Sequence, residues 1–235
     1  MSDIYYITEK DLDNKNILYN FIYPNEKVHY YYSDDFSVSF YIKLAKAGFI
    51  SVSHTQENIQ YLLPEIQFEY AVLDFEELHI SKKVKKLLNN PHLYRFNITP
   101  IIKDVVDAID YYHQDNWIKN EYRNLLEKLQ EYPHTSIDFE LFACELWCSK
   151  TDQLIAGEIG YRINKTYTSL SGFANKEKIY NNYGKLQMTL LSQYLQVNDY
   201  SFWNLGHPYM QYKKDMGAKV LSRQDFLARW LRAVN

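Results

Sequence analysis

Residues 139–147, 154–163 and 167–173 read as three strand-like segments in succession, with Asn164-Lys165 between the last two. Strands that follow one another without a crossover pair antiparallel, and an Asn-led pair of residues makes a tight hairpin turn. This run fixes the centre of the fold as a sheet. Helical periods flank it. Thr99-Pro100 predicts a helix start, with Ile101, Ile102, Val105, Val106 and Ile109 as its buried stripe, and a second helix is predicted over 119–131. After the strands, Leu186, Leu190, Leu191, Tyr194 and Leu195 keep helical spacing, and 202–205 returns to strand. Ser222 is placed to cap a last helix that carries Asp225 in its first turn and Phe226, Leu227 and Trp230 for the core. The class is α+β, with a mixed, mostly antiparallel sheet flanked by helices.

The chain divides near residues 65–75. Before that point Phe36, Phe40, Leu44 and Ala47 share a helical period closed by Gly48, and 49–52 reads as a short strand. Ile66, Phe68, Tyr70 and Val72 alternate as a half-buried strand does. A small α+β unit over 1–70 and a larger domain over 71–235 are therefore expected. No internal repeat or low-complexity tract is visible.

Composition narrows the function. An aromatic share of 17%, with 23 Tyr and 12 Phe, belongs to a folded chain, and a formal charge of −3 does not suit a protein that coats nucleic acid without specificity. Contact with RNA has to be local. No apolar run reaches the length of a membrane span, and Met1-Ser2-Asp3 lacks a secretory pattern, so a cytoplasmic setting is expected. Cys144 and Cys148 have no second Cys/His pair at zinc spacing; two buried, reduced thiols are expected, with no metal and no cofactor. Walker-type loops, His-Glu-x-x-His and Gly-x-Ser-x-Gly elbows are absent from the sequence.

Several blocks carry a resemblance. Ser33-Asp34-Asp35-Phe36-Ser37, Ala47-Gly48-Phe49, Pro64, Ala71-Val72-Leu73, Leu78-His79-Ile80-Ser81, Trp117-Ile118, Glu145-Leu146-Trp147, residues 154–157 and the Met216-Gly217-Ala218 turn occur in this order. They resemble the leucyl/phenylalanyl-tRNA protein transferases, collinearly over about 33–230. The order of helices and strands is that of the GNAT acyltransferase fold. The resemblance implies transfer of an amino acid of the Leu/Phe class from charged tRNA to a protein N-terminus, a modification of the N-degron kind. Partners would be the aminoacyl-tRNA acceptor end and a peptide N-terminus.

Four lysines, Lys82, Lys83, Lys85 and Lys86, would then hold the acceptor stem while Val84 and Leu87 face the core; by charge alone they are a solvated helix face. His79 reads as structural. Trp117 offers a stacking face and an N–H, or simply core packing, and Ser171 and Phe173 fall where the resemblance puts the aminoacyl pocket. Lys185 aligns with a family lysine, though its place suits a snorkelling helix residue better. The cationic helix and Trp117 are expected to flank one cleft.

The departures fall on the acceptor side. Leu170 stands where the family has an acid, and Asn204-Leu205-Gly206 stands in place of Asp-Cys-Gln, leaving Asn204 and His207 as weak catalytic candidates. Leucine accepts no hydrogen bond. Two other readings stay open: a catalytically silent homologue used as a binding module, and a small-molecule acetyltransferase. The second needs a Gly-rich phosphate turn that Asn181-Asn182-Tyr183-Gly184-Lys185, with its one glycine, lacks.

Overall fold

The expected strand run forms the middle of a seven-stranded sheet in the computed structural model, which describes residues 4–131 and 139–234. In chain order the first elements are β1 (Tyr5–Tyr6), α1 (Glu9–Asp13), α2 (Lys15–Ile17), β2 (Tyr31–Tyr32), α3 (Val38–Lys46), β3 (Ile50–Gln56), β4 (Ile59–Glu65) and β5 (Glu69–Leu73). Then come α4 (Lys82–Leu88), β6 (Tyr94–Thr99), α5 (Lys103–Tyr112), α6 (Asn120–Glu131), β7 (Phe139–Cys148), β8 (Leu154–Ile163) and β9 (Thr166–Ala174). The chain ends with α7 (Tyr183–Val197), β10 (Phe202–Gly206), α8 (Gln211–Asp215), β11 (Lys219–Ser222) and α9 (Arg223–Val234). The large sheet runs β11-β5-β10-β9-β8-β7-β6, and only β9 and β10 pair parallel in it. Two smaller pairs, β1 with β2 and β3 with β4, lie in the first 70 residues. No described helix is long and apolar enough to cross a membrane.

Strand alternation sends side chains to two faces of the sheet. One face packs Phe142, Cys144, Tyr167 and Trp203 under Leu191 and Leu195 of α7, and Leu146 and Ala156 under Leu186 of α7 and Val84 of α4. The other packs Leu141, Ala143, Ile159, Tyr161, Ile163 and Phe173 against α5, α6, α9 and the N-terminal elements. Apolar side chains from Leu12, Phe40 and Phe49 join that second cluster.

Local chemistry places the ends. Ser37 accepts from Phe40 N and starts α3, and Gly48, at φ +91°, closes it where a Cβ would come within 2.7 Å of Leu227. Asn164 takes the left-handed turn conformation at φ 48°, so Ile163 and Thr166 face each other across the hairpin. Ser222 Oγ accepts from Asp225 N and opens α9 as expected.

Three elements differ from expectation, each for an identifiable reason. Thr99 does not start a helix: it pairs with Ala143 at the end of β6, and α5 begins at Lys103 after Ile102 N has donated to Gln130 Oε1 of α6. Ile66 and Phe68 lie before β5 rather than within it, because Arg223 takes the carbonyls of Ile66, Gln67 and Phe68 with its side chain and its main-chain N–H. The strand expected at 49–52 extends into a full hairpin through Glu57 and Asn58, both at positive φ, the arrangement of a type I′ turn. Of the thiols, Cys144 is buried and Cys148 only half-buried; both are free.

Candidate active site

Strands β9 and β10 pair only over Thr166–Thr168 and Phe202–Asn204. Beyond Asn204 the two strands part: β10 turns to Ala71 through a bulge at Gly206, whereas β9 continues to Ala174 with β8 as its neighbour. The result is a fork in the sheet. Asn204 sits at its base, buried, with Nδ2 3.4 Å from Thr168 Oγ1 and Oδ1 accepting from Gly206 N at 3.0 Å.

On the α7 face of the fork lies a polar cluster inside an apolar wall. Ser169 Oγ accepts from Trp203 Nε1 at 2.8 Å and donates to Glu158 Oε1 at 2.8 Å; Tyr167 donates to the same oxygen at 3.1 Å. Gln187 of α7 reaches Glu158 Oε2 at 3.4 Å and Cys144 Sγ at 3.1 Å. Burial pushes the Glu158 carboxyl up to about 7, although the bonds from Ser169, Gln187 and Tyr167 and the charge of Lys213 all favour its ionised form. Burial likewise raises the Cys144 thiol, which rules it out as a ready nucleophile. Lys213 closes the cluster from α8. Its ammonium donates to the carbonyls of Leu205 and His207 at 2.5 and 2.7 Å, and burial brings it down to about 8 against the opposing pull of Glu158. Gly160 makes room for all this, since a Cβ there would stand 2.3 Å from the Tyr167 hydroxyl.

Ser171 and Phe173 lie on the free stretch of β9, on the opposite face from Glu158. Phe173 is buried and stacks on Tyr112 at 5.2 Å, and His113 ties the end of α5 to the Gly172 carbonyl at 3.2 Å. Trp117 stands half-buried in the loop before α6, edge-on to Tyr122 at 4.8 Å, with its carbonyl taken by Ser53. Lys82, Lys83, Lys85 and Lys86 are exposed on α4, which Ser81 caps and Val84 anchors, and none of them has an ion-pair partner among the described residues. The lysines and Trp117 therefore lie over opposite faces of the sheet rather than on two sides of one cleft. Near the end of β9, Phe173 faces Tyr112 on one side of the sheet and Ala174 joins the cluster that holds Val84 on the other.

The remaining positions are also accounted for. Lys185 pairs with Asp215 at 3.2 Å and links α7 to α8. His79 donates its main-chain N–H to the Met216 carbonyl, and Gly217, at φ +99°, lies where any Cβ would be 2.0 Å from the Glu77 carbonyl. That close approach joins two blocks far apart in sequence. Leu170 occupies the bulge of β9 and packs into the apolar cluster on the Phe173 face. His207 stands past the end of β10 with Nε2 2.9 Å from Glu65 Oε2. Gly184 lies where a Cβ would meet the Ala174 Cβ at 2.9 Å, so its smallness serves packing against β9. Sequence reasoning passed over Glu158, Gln187 and Lys213. The available signal was Glu158 itself, an acid within the apolar run 154–163.

A model of the leucyl/phenylalanyl-tRNA protein transferase family matches residues 72–231, more than half of the chain. The chain belongs to this family. By its description that family consists of tRNA-dependent protein transferases, and the fold of this chain is α+β. The match starts at residue 72, so the resemblances read in 33–71 lie before it. No curated protein matches the chain in sequence. Among solved structures the transferase-family chain is similar to FemX (11% identity, TM-score 0.46, 84% of this chain and 71% of that one). It is similar also to L-PGS from Bacillus licheniformis (12%, 0.43, 76% and 51%) and to a GCN5-related N-acetyltransferase from Kribbella flavida (10%, 0.41, 76% and 59%). The chain spans about half the length of L-PGS and of the lysylphosphatidylglycerol synthetase domain from Agrobacterium fabrum.

Proposed function

We propose that this protein transfers an amino acid of the Leu/Phe class from charged tRNA to the α-amine of a protein N-terminus, in the cytoplasm, with an acceptor side rebuilt relative to its family. The reaction forms an amide between the acyl carbon and the amine nitrogen and breaks the ester bond to the terminal ribose; the amine proton ends on the ribose hydroxyl. An aminoacyl ester is already activated, and an N-terminal amine titrates at about 7.7–8.0, so a large fraction is neutral near physiological pH. Holding the two reactants together is the main task and is worth several kcal/mol.

The observation that carries the reading is the fork between β9 and β10. There the β9–β10 pairing ends inside the sheet, and in this reading Phe173 and Tyr112, with Ser171 beside them, seat a Leu or Phe side chain on one face. Glu158, which titrates near 7, acts through Ser169 on the other face as a positioning residue. Lys82, Lys83, Lys85 and Lys86 take acceptor-stem phosphates along α4, and the tRNA terminus reaches around the end of β9, with Trp117 as its aromatic support. In this reading residues 71–235 carry the transfer chemistry and residues 1–70 form the unit that closes the Phe173 face.

Binding of charged and uncharged tRNA, measured over a range of salt, tests the donor side. Charged tRNA is expected to bind more tightly than uncharged, and changing the four lysines to Ala lowers the slope of log affinity against log salt by up to about 3. Equal binding of both tRNAs together with an unchanged slope refutes the donor site.

A further inference from the structure

The buried carboxylate of Glu65 has no part in the fork or the Glu158 cluster. It ends β4, is 3% exposed, and has two imidazoles beside it: His207 Nε2 lies 2.9 Å from Oε2 and His29 Nε2 3.8 Å from Oε1. Gln67, also buried, donates from Nε2 to Glu65 Oε2 at 3.2 Å. With these contacts made, Glu65 Oε1 and Gln67 Oε1 are both buried and accept no hydrogen bond. Acceptor oxygens withheld from water on neighbouring side chains are costly until a donor reaches them. A group that carries several N–H donors and a positive charge suits such a pair best.

The surroundings agree with that ligand chemistry. Exposed rings stand at the rim: Phe68, 4.7 Å from the His29 ring, already carries the Arg223 guanidinium 4.6 Å over its face, and Tyr209 stacks on His207 at 5.6 Å. Aromatic faces attract a cation. The Tyr30 hydroxyl also faces Glu65: burial first, the Glu65 charge second and a weak hydrogen bond to that carboxylate third push it up to about 12, keeping it protonated. Arg223 and Lys213, the latter bonded to the His207 carbonyl, bring positive charge nearby. The Arg223 guanidinium donates to the main-chain oxygens of Asn25, Val28, Ile66 and Gln67, so it offsets part of the Glu65 charge without filling Oε1.

The cluster adjoins the fork. A Cβ on Gly206 would stand 3.9 Å from Gln67 Nε2, and Gly206 is bonded to Asn204 at the fork's base. We propose that Glu65 and Gln67 form the subsite that takes the amino group of the acceptor peptide, with His29 and His207 as its side walls. The assignment rests on the transfer reading. It supplies an acid and an amide from the end of β4 and the link beyond it, where positions 170, 204 and 206 no longer carry them.

The full chain is titrated with Ala-Ala-Ala amide and with the same tripeptide acetylated at its N-terminus, and the ring NMR signals of His29 and His207 are followed. Saturable shifts of both rings with the free amine alone, and a loss of affinity of roughly tenfold or more in Glu65→Gln, are expected. An equal response to the acetylated peptide, or no response up to about 10 mM, overturns the assignment and leaves the two oxygens to water. If Glu65→Gln does not fold, Gln67→Leu removes the second oxygen and carries the same expectation. The transfer assay separates this subsite from the reading beneath it. Transfer with an unaltered peptide KM in Glu65→Gln sinks the subsite alone, whereas amine-specific binding without any transfer sinks the transferase reading and leaves the subsite standing.

Discussion

Replacing Glu158 by Gln should make the protein less stable than wild type in acid and more stable near neutrality. The folded carboxyl titrates at about 7, against 4.5 for the unfolded group, and the side chain is buried. Across that window the folded chain holds more protons than the unfolded one, so stability is lost as pH rises through it, by about 1.4 kcal/mol per pH unit. Between about pH 5 and about pH 7.5 the loss is about 2.5 kcal/mol, allowing for partial titration at both ends. Staying below pH 8 also keeps clear of Lys213, which titrates at about 8. Glutamine keeps an oxygen for Ser169 and Tyr167 but turns an amide toward the Gln187 amide, a clash of donors that costs about 1 kcal/mol. The variant is thus expected to be weaker than wild type below about pH 4.5, nearly level with it at about pH 5, where wild type has already lost about 0.8 kcal/mol, and about 2 kcal/mol stronger at about pH 7.5. Urea unfolding across this pH range measures this directly. Parallel stability curves for the two proteins would refute the assignment of a protonated, buried Glu158.

Two further substitutions probe the frame around the site. Gly160→Ala places a methyl 2.3 Å from the Tyr167 hydroxyl and 2.4 Å from the Thr168 carbonyl, so overpacking of about 1–3 kcal/mol is expected in thermal or urea unfolding. Loss of the Tyr167 bond also moves the Glu158 titration upward, visible as a stability loss that begins at the same pH but continues to higher pH. Arg223→Met strips donors from four main-chain carbonyls in the links at 25–28 and 66–67, and a cost of about 3 kcal/mol or more in the urea midpoint is expected. A cost below about 1 kcal/mol would mean that water replaces the guanidinium there.

The parts of the fold that could be read in the sequence are those set by local chemistry. Strand alternation in 139–174, the Asn164 turn, the Ser222 cap and the helix over α7 follow from periods and capping residues alone. Where long-range partners decide, local reading fell short: Gln130 opens α5 in place of Thr99, and Arg223 takes the carbonyls that would otherwise continue β5 back to Ile66. The site divides the same way. Phe173, Ser171, Trp117 and the four lysines were nameable from motif resemblance, but the side of the sheet each occupies depends on tertiary packing. Glu158, Glu65, Gln67 and Lys213 belong to no recognised block. Their meaning comes from burial and from contacts 9 to 142 residues apart, such as Tyr167 with Glu158 and His207 with Glu65.

The most direct measurement is mass spectrometry of a peptide with a free N-terminus after incubation with this protein and a panel of charged tRNAs. The peptide is expected to gain one aminoacyl residue of the Leu/Phe class at its α-amine, with no product from the acetylated peptide. Absence of any addition across the whole panel, by protein that is folded and binds tRNA, would contradict the account and leave a family member that binds without transferring.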